Sequence, residues 1–382
     1  MKDIVLKKSL KIWIGVLVIG LFLISSNLAY FKFMYNPLVK VEISYAWPEY
    51  KGKLIIEDKN ELNDFLKIYK RAEKIQGQTR EEDVYYKVSL DFKNSNYQLL
   101  LNKELDVYNP LEKEYEYSPQ LQTFFASKAN ELDSAFFGEI VPWQDITHKI
   151  PKGKVIELRD IEAGVRFNIK RYGGLTHADI EPLDLEDTEV LKSIYGNWNW
   201  KRRAVVATID GKQYAASING MPHGGGKIWD NEFKGHFCLH FLGSKTHGGG
   251  KVDPAHQLMI HKAGGKLPEL LDYADPNSLA EYILAALVTE DILPIRYIAL
   301  ENLDQEQWQN LKNSIRYISI NKVATGEQSN DKSTVVVVDA TVYFENTSVY
   351  IRRDFQLEFV LDEIRNSWRL KPNILSDFYM QS

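Results

Sequence analysis

The segment at 236–243, HFCLHFLG, most constrains what this chain can fold into. Side chains alternate faces along a strand. His236, Cys238 and His240 are therefore expected on one face, and Phe237, Leu239 and Phe241 on the other. The second set is apolar and belongs to a core. The first places a thiol between two imidazoles on a rigid element. Residues 221–261 around it hold the only cysteine of the chain and six of its eight histidines: His223, His236, His240, His247, His256 and His261. A seventh, His177, lies upstream in GGLTHAD. Glycines at 224–226, 235, 243 and 248–250 permit positive φ and close backbone approach to a ligand. A free thiol has a pKa of about 8.5, and an adjacent imidazolium raises its thiolate fraction near neutral pH.

The rest of the chain reads as delivery and support. Its 382 residues suffice for two or three domains. A formal net charge of -5, with no basic domain and no reading motif, argues against nucleic acid as a partner. One cysteine excludes an internal disulfide and leaves a free thiol. Residues 1–11 carry Lys2, Lys7, Lys8 and Lys11 against Asp3, and residues 12–31 carry no charge. As a helix that run rises roughly 30 Å, about the hydrocarbon thickness of a bilayer. The expectation is a cytoplasmic N-terminus (1–11), a single transmembrane anchor (12–31) and an extracytoplasmic bulk. A cleaved signal peptide competes, but Asn27 spoils the small-residue site ending at Ala29. No cysteine follows the run closely, which excludes a lipoprotein.

Three domains of α+β class are expected beyond the anchor. Residues 38–150 give strand–strand–helix–strand–strand–helix, with Asn60 capping the first helix, a turn at 93–96, and the acidic run 112–116 as a solvated loop. Residues 151–270 form a β-rich site domain. It has strands at 165–170 and 236–243, a helix at 187–195, a hairpin on Asp210-Gly211 and a helix at 254–263. Glu181, Asp184 and Glu186 are expected on its exposed side. Residues 275–382 read as two helices and a four-stranded meander.

His223-Gly224, a short loop, and then Gly235-His236-Phe237-Cys238-Leu239-His240 resemble the catalytic motif of the L,D-transpeptidases. In that family a His-Gly precedes Ser/Thr-His-Gly-Cys-hydrophobic-Arg. Here Gly235 replaces the Ser/Thr, Phe237 the Gly and His240 the Arg. The resemblance implies a cysteine acyltransferase acting on peptidoglycan stem peptides without a cofactor. By that resemblance Cys238 would be the nucleophile, His236 a site histidine beside it, and His223 would line the pocket or help position the base; from their place on the strand face flanking the thiol, His236 and His240 are the candidate bases. The resemblance also implies a substrate-binding surface, for which His177, Asp179, Gly224, Gly235, His247 and Arg202 are the candidates. Asp179 is a candidate to orient His177 or His236. Trp198, Trp200, Tyr172 and Trp229 are candidates to stack on glycan rings. The stretch 171–257 is also similar to an uncharacterised domain of Gram-positive exported proteins, often found beside wall-binding modules. Residues 38–150 resemble a small domain of Gram-positive surface proteins. Residues 275–382 are similar to cystatin-like and nuclear-transport-factor-like domains, which implies spacer or binding modules.

Two other function classes fit the same residues. One is a zinc-dependent cell-wall peptidase using His236, Cys238, His240 and His247. Ser244, His247-Gly248 and Asp253 are faintly similar to zinc D,D-carboxypeptidases, with the His-to-Asp spacing off by one residue and no HExxH motif. The other is a non-catalytic wall-binding protein whose histidines are structural hydrogen-bonders.

Overall fold

The computed structural model describes residues 36–79, 83–247, 250–300, 305–330, 332–344, 348 and 350–371. The expected cytoplasmic segment and anchor lie outside the described residues. Among those described, no helix is long and apolar enough to cross a membrane. The protein is a strand-rich mixed α+β structure with several sheets. The described residues divide into two compact units, 36–46 with 52–132 and 47–51 with 133–371.

The first unit is built on one sheet. Its strands are β1 (Leu38–Tyr45), β2 (Lys53–Ile56), β3 (Glu73–Gln76), β4 (Tyr86–Phe92), β5 (Ser95–Leu101), β6 (Val107–Asn109) and β7 (Glu114–Tyr117). Their order is β2-β1-β4-β5-β6-β7-β3. Period-two patterning buries Val41, Ile43 and Tyr45 of β1. The helix Lys59–Tyr69 packs Leu62, Phe65 and Leu66 inward. Three expectations need correction here. The helix cap is Asp58, not Asn60, because its carboxylate accepts from the amides of Asn60 and Glu61, each at 3.0 Å. Phe92 pairs with Ser95, so the β4–β5 turn has two residues, Lys93-Asn94. The acidic run is not a solvated loop: its last three residues open β7, and Glu114 and Glu116 are buried. The β3 pairing brings Lys74 to Glu114 at 2.5 Å, and the Tyr69 hydroxyl reaches Glu116 at 2.5 Å. Such partners are what let a carboxylate be buried.

The second unit contains a closed, wholly antiparallel barrel. Its strands are β8 (Val155–Asp160), β9 (Arg166–Gly173), β10 (Ala178–Pro182), β11 (Arg202–Ile209), β12 (Lys212–Asn219) and β13 (Phe237–His240), in the order β10-β13-β12-β11-β8-β9. Closure removes sheet edges. Phe167, Ile169, Val205, Ile218 and Phe237 help fill the core. Asp210 and Gly211 both take positive φ, 49° and 78°, as a tight primed hairpin turn demands. Residues 138–150 belong to this unit: Gly138 donates to the Ala263 carbonyl, Glu139 pairs with Tyr214, and Trp143, Ile146 and Ile150 enter the barrel core. The helix Leu185–Tyr195 is capped by Asp184 and starts two residues before the expected Asp187, because the Asp184 carboxylate accepts from the Asp187 amide. Helices Pro254–Ala263, Leu267–Asp272, Pro276–Thr289, Ile292–Ile298 and Gln305–Ser314 follow. The chain then makes the expected meander, β14 (Ile315–Asn330), β15 (Ser333–Phe344), β16 (Tyr350–Asp362) and β17 (Ser367–Leu370), in sequential order.

Candidate active site

The site lies where β10 and β13 pair. Their register sets Asp179 opposite Cys238. Along β13 the alternation expected from the sequence holds: Phe237, Leu239 and Phe241 are fully buried in the barrel core. Cys238 is buried too, with 3% of its surface exposed.

The loop after β12 is closed by one pair of residues. His223 and His236 exchange backbone hydrogen bonds, 2.9 Å in each direction. Two glycines make this closure possible. Gly224 has φ 61°, and a Cβ there would lie 2.5 Å from His236 Cε1. Gly235 has φ 117°, and a Cβ there would lie 2.6 Å from the His223 carbonyl oxygen. Both glycines are thus required by the shape of the backbone here. Glu181 ties the loop to β10. Its carboxylate accepts from the amide of Lys227 at 2.8 and 3.0 Å and from that of Ile228 at 2.9 Å. Glu181 is 1% exposed, against the expectation of a solvated acid, whereas Asp184 and Glu186 are exposed as expected.

The closure holds His223 against the thiol. Its Nε2 is 3.5 Å from Cys238 Sγ, and its Nδ1 is 2.8 Å from the Met221 carbonyl oxygen. A carbonyl only accepts, so Nδ1 carries the hydrogen and Nε2 turns its lone pair to the thiol. The same tether recurs twice. His236 Nδ1 is 2.8 Å from the Gly225 carbonyl, and His177 Nδ1 is 2.7 Å from that of Lys245. Three imidazoles thus present Nε2 away from their tethers. His177 Nε2 lies 3.1 Å from Asp179 Oδ1, and His247 Nε2 lies 3.0 Å from the same oxygen. The two nitrogens are 2.9 Å apart. His236 Nε2 is 3.8 Å from Asp179 Oδ1. Both Asp179 Oδ1 and His236 Nε2 are buried without a directed hydrogen bond from the protein.

Charge follows this geometry. Burial pushes the Cys238 thiol up, but the imidazoles of His177 and His223 outweigh burial and bring it below its ordinary range. The contact with Cys238 raises His223. Burial opposes protonation of His177, yet Asp179 and Cys238 beside it push it up to about 10. Burial also works against the Asp179 charge, but His177, His236 and His247 hold its carboxyl below the usual range. His247 is lowered, by burial first and then by His177.

The remaining expected site residues fall elsewhere. The His240 ring is stacked between those of His177, at 4.7 Å, and His256, at 3.7 Å. Burial lowers His240 and His256 far below the ordinary imidazole range, so both are neutral. His256 bonds Ser217 Oγ at 2.9 Å, and His261 bonds the Gln257 carbonyl one turn back on its own helix. Arg202 pairs with Asp253 at 2.6 Å, and Asp253 in turn caps the helix Pro254–Ala263. Trp198 packs on Phe233 as core. Trp200 instead lies 5.0 Å from the His223 ring and Tyr172 5.6 Å from that of His236, while Trp229 is 92% exposed. Glu181 and the three carbonyl tethers are the parts that sequence reasoning missed. Carbonyls carry no residue-type signal, and Glu181 reads locally as any strand-end acid.

A scan against models of protein families finds no match to the chain, and a search of curated proteins finds no significant relative.

Proposed function

We propose that this protein is a membrane-anchored, extracytoplasmic cell-wall enzyme that transfers acyl groups of peptidoglycan stem peptides through Cys238. The observation that carries the reading is the Cys238–His223 pair, 3.5 Å apart, with His223 held in one tautomer by the Met221 carbonyl. The His-Gly and His-x-Cys elements that resemble the L,D-transpeptidases are the elements that build this pair. The uncharged run at 12–31 supports the location.

The steps follow from that pair. His223 Nε2 takes the thiol proton, and Sγ attacks the stem-peptide carbonyl carbon. The C–N bond then breaks, and the departing amine takes the proton back from Nε2. The thioester is resolved by an acceptor amine, or by water, which yields its proton to His223 as the C–S bond breaks. Amides of the loop beginning at Gly224 are suited to hold the oxyanion. His223 takes the role of base, in place of His236 and His240: His223 Nε2 lies 3.5 Å from Sγ, whereas His236 Nε2 is turned toward Asp179 at 3.8 Å and His240 is packed among imidazoles.

The test is mass spectrometry of the full chain with a muropeptide acyl donor. A covalent adduct is expected on Cys238 and absent in Cys238→Ser, with transfer lowered by at least about a thousandfold. A serine variant that retains full activity overturns the assignment.

A further inference from the structure

We infer that the same cluster is a site for a divalent metal ion of the zinc class, held by His177, Asp179, His247 and Cys238. The binding stands apart from the acyl-transfer reading; only its consequence for activity rests on that reading. One Nε2–Nε2 distance and two Nε2–carboxylate distances form a triangle with edges of 2.9, 3.0 and 3.1 Å. Cys238 Sγ completes a set of four ligand atoms, all within 4.8 Å of one another. Zinc–nitrogen bonds of about 2.0–2.1 Å imply tetrahedral edges of about 3.3–3.4 Å, so the triangle needs to open by only a few tenths of an ångström.

The donors are also oriented for a cation. With Nδ1 of His177 held by the Lys245 carbonyl, its Nε2 is the nitrogen that faces Asp179 Oδ1, a contact that a proton on the ring or a metal ion in its place can serve. The Asp179 oxygen is buried and has no directed hydrogen bond, which marks it as unfinished on the protein's own account. An imidazole whose far nitrogen is fixed by a carbonyl is the usual outer-shell support of a metal-binding histidine. The donor set of thiolate, two imidazoles and one carboxylate suits zinc better than magnesium or calcium. His247 is half-exposed and gives the ion a way in.

This set differs from the one expected from the sequence. His240 is stacked between two rings, and His236 groups instead with His223 and His247. A thiolate bound to metal is not free to attack a carbonyl. Metal loading therefore closes the acyl-transfer site, and a chelator opens it.

The experiment is a zinc titration of the chelator-treated full chain, read by metal content, by iodoacetamide labelling of Cys238, and by the thiolate-to-cobalt absorption of the cobalt-substituted protein. One zinc per chain is expected. Labelling should slow at least tenfold with zinc and recover with chelator, and the cobalt band should be missing in Cys238→Ser. His247→Ala and Asp179→Ala should each weaken zinc binding by more than the roughly 10–100-fold that loss of an outer-shell partner costs. His247 is half-exposed, so its variant is the one expected to keep the fold. No retained zinc in the wild type, or zinc retained unchanged in both variants, overturns the site. If zinc binds as expected but the chelated protein forms no Cys238 adduct with the muropeptide, the acyl-transfer reading fails and the metal site stands. If the adduct forms and zinc does not bind, the reverse holds.

Discussion

Two buried polar clusters in the second unit differ in one respect that separates scaffold from site. Around Lys262, which is 0% exposed, every charge meets an opposite one. Its Nζ is 2.6 Å from Glu162 and 2.6 Å from Asp291, while Arg203 takes Asp160 at 2.6 Å. Burial works against the Lys262 charge, but Asp291 and Glu162 outweigh it and hold the ammonium protonated. Around Cys238 the partners do not close. Asp179 Oδ1 and His236 Nε2 are buried without directed hydrogen bonds, and three tethered rings aim Nε2 away from the backbone. A satisfied buried network fixes a structure; an unsatisfied one is costly unless a substrate or ion completes it.

The largest effects should cross over between the two clusters. Cys238→Ser is expected to remove acyl transfer while shifting thermal unfolding little. Lys262→Met is expected to leave Glu162 and Asp291 facing each other, and to cost about 3–5 kcal/mol of stability with no change in the labelling rate of the folded protein. The sign in pH follows from the raised Lys262. Its stabilisation is complete below the ordinary lysine range, near pH 10.4, and is lost only as pH rises past it. Within the neutral range the pH dependence of the variant therefore comes from the two carboxylates left facing each other: the stability difference between Lys262→Met and wild type should be smallest in acid, where one of them is protonated, and grow toward neutral pH. A difference that stays constant from acid to neutral pH would mean that Glu162 and Asp291 do not repel each other once the lysine is gone.

Gly224→Ala comes next. It combines a positive φ with a Cβ 2.5 Å from His236 Cε1, so the loop must shift and carry His223 from the thiol. Transfer should fall by roughly 10–100-fold, in line with the cost of an ångström's misplacement. Unchanged activity would mean that the His223–His236 closure does not position the base. Glu181→Gln should do less. It keeps the carbonyl acceptor but weakens charge-assisted bonds to the Lys227 and Ile228 amides, worth about 1–2 kcal/mol of loop stability. Amide hydrogen exchange confined to 224–235 is the measurement, and exchange spreading through β10 would give Glu181 a wider structural role.

What the sequence revealed and what it hid follow from the range of the forces involved. Period-two alternation is local, so β13 and its two faces were legible from HFCLHFLG alone. Capping is local too, and Asp253 and Asp275 sit where their helices start. The pairing of Asp179 with Cys238 is not local: it depends on β10 closing the barrel against β13. The same holds for β7, whose acids looked solvated until β3 brought Lys74 across. The histidines were legible as a cluster but not as partners. Which ring faces the thiol is decided by carbonyls at Met221, Gly225 and Lys245, and a sequence does not show where carbonyls point.

Arg202 gives the smallest effect and the finest test of the contrast. It was a candidate for the substrate-binding surface. In the structure its Nε and Nη2 both reach Asp253 Oδ2, at 3.1 and 2.6 Å, and a further nitrogen reaches the Trp200 carbonyl. Asp253 accepts at the same time from the Ala255 amide at the start of its helix. Arg202 thus belongs with the closed kind of network, steadying a helix cap. Arg202→Lys keeps the charge but cannot reproduce the fork, and should cost about 1 kcal/mol of stability, the usual size of a cap's contribution. Binding should be untouched, so KM for a muropeptide donor should stay within about twofold of wild type, since no uniform binding contact is lost. A tenfold rise in KM with unchanged unfolding would move Arg202 from the scaffold to the substrate surface, and the boundary between the two clusters would have to be drawn outside it.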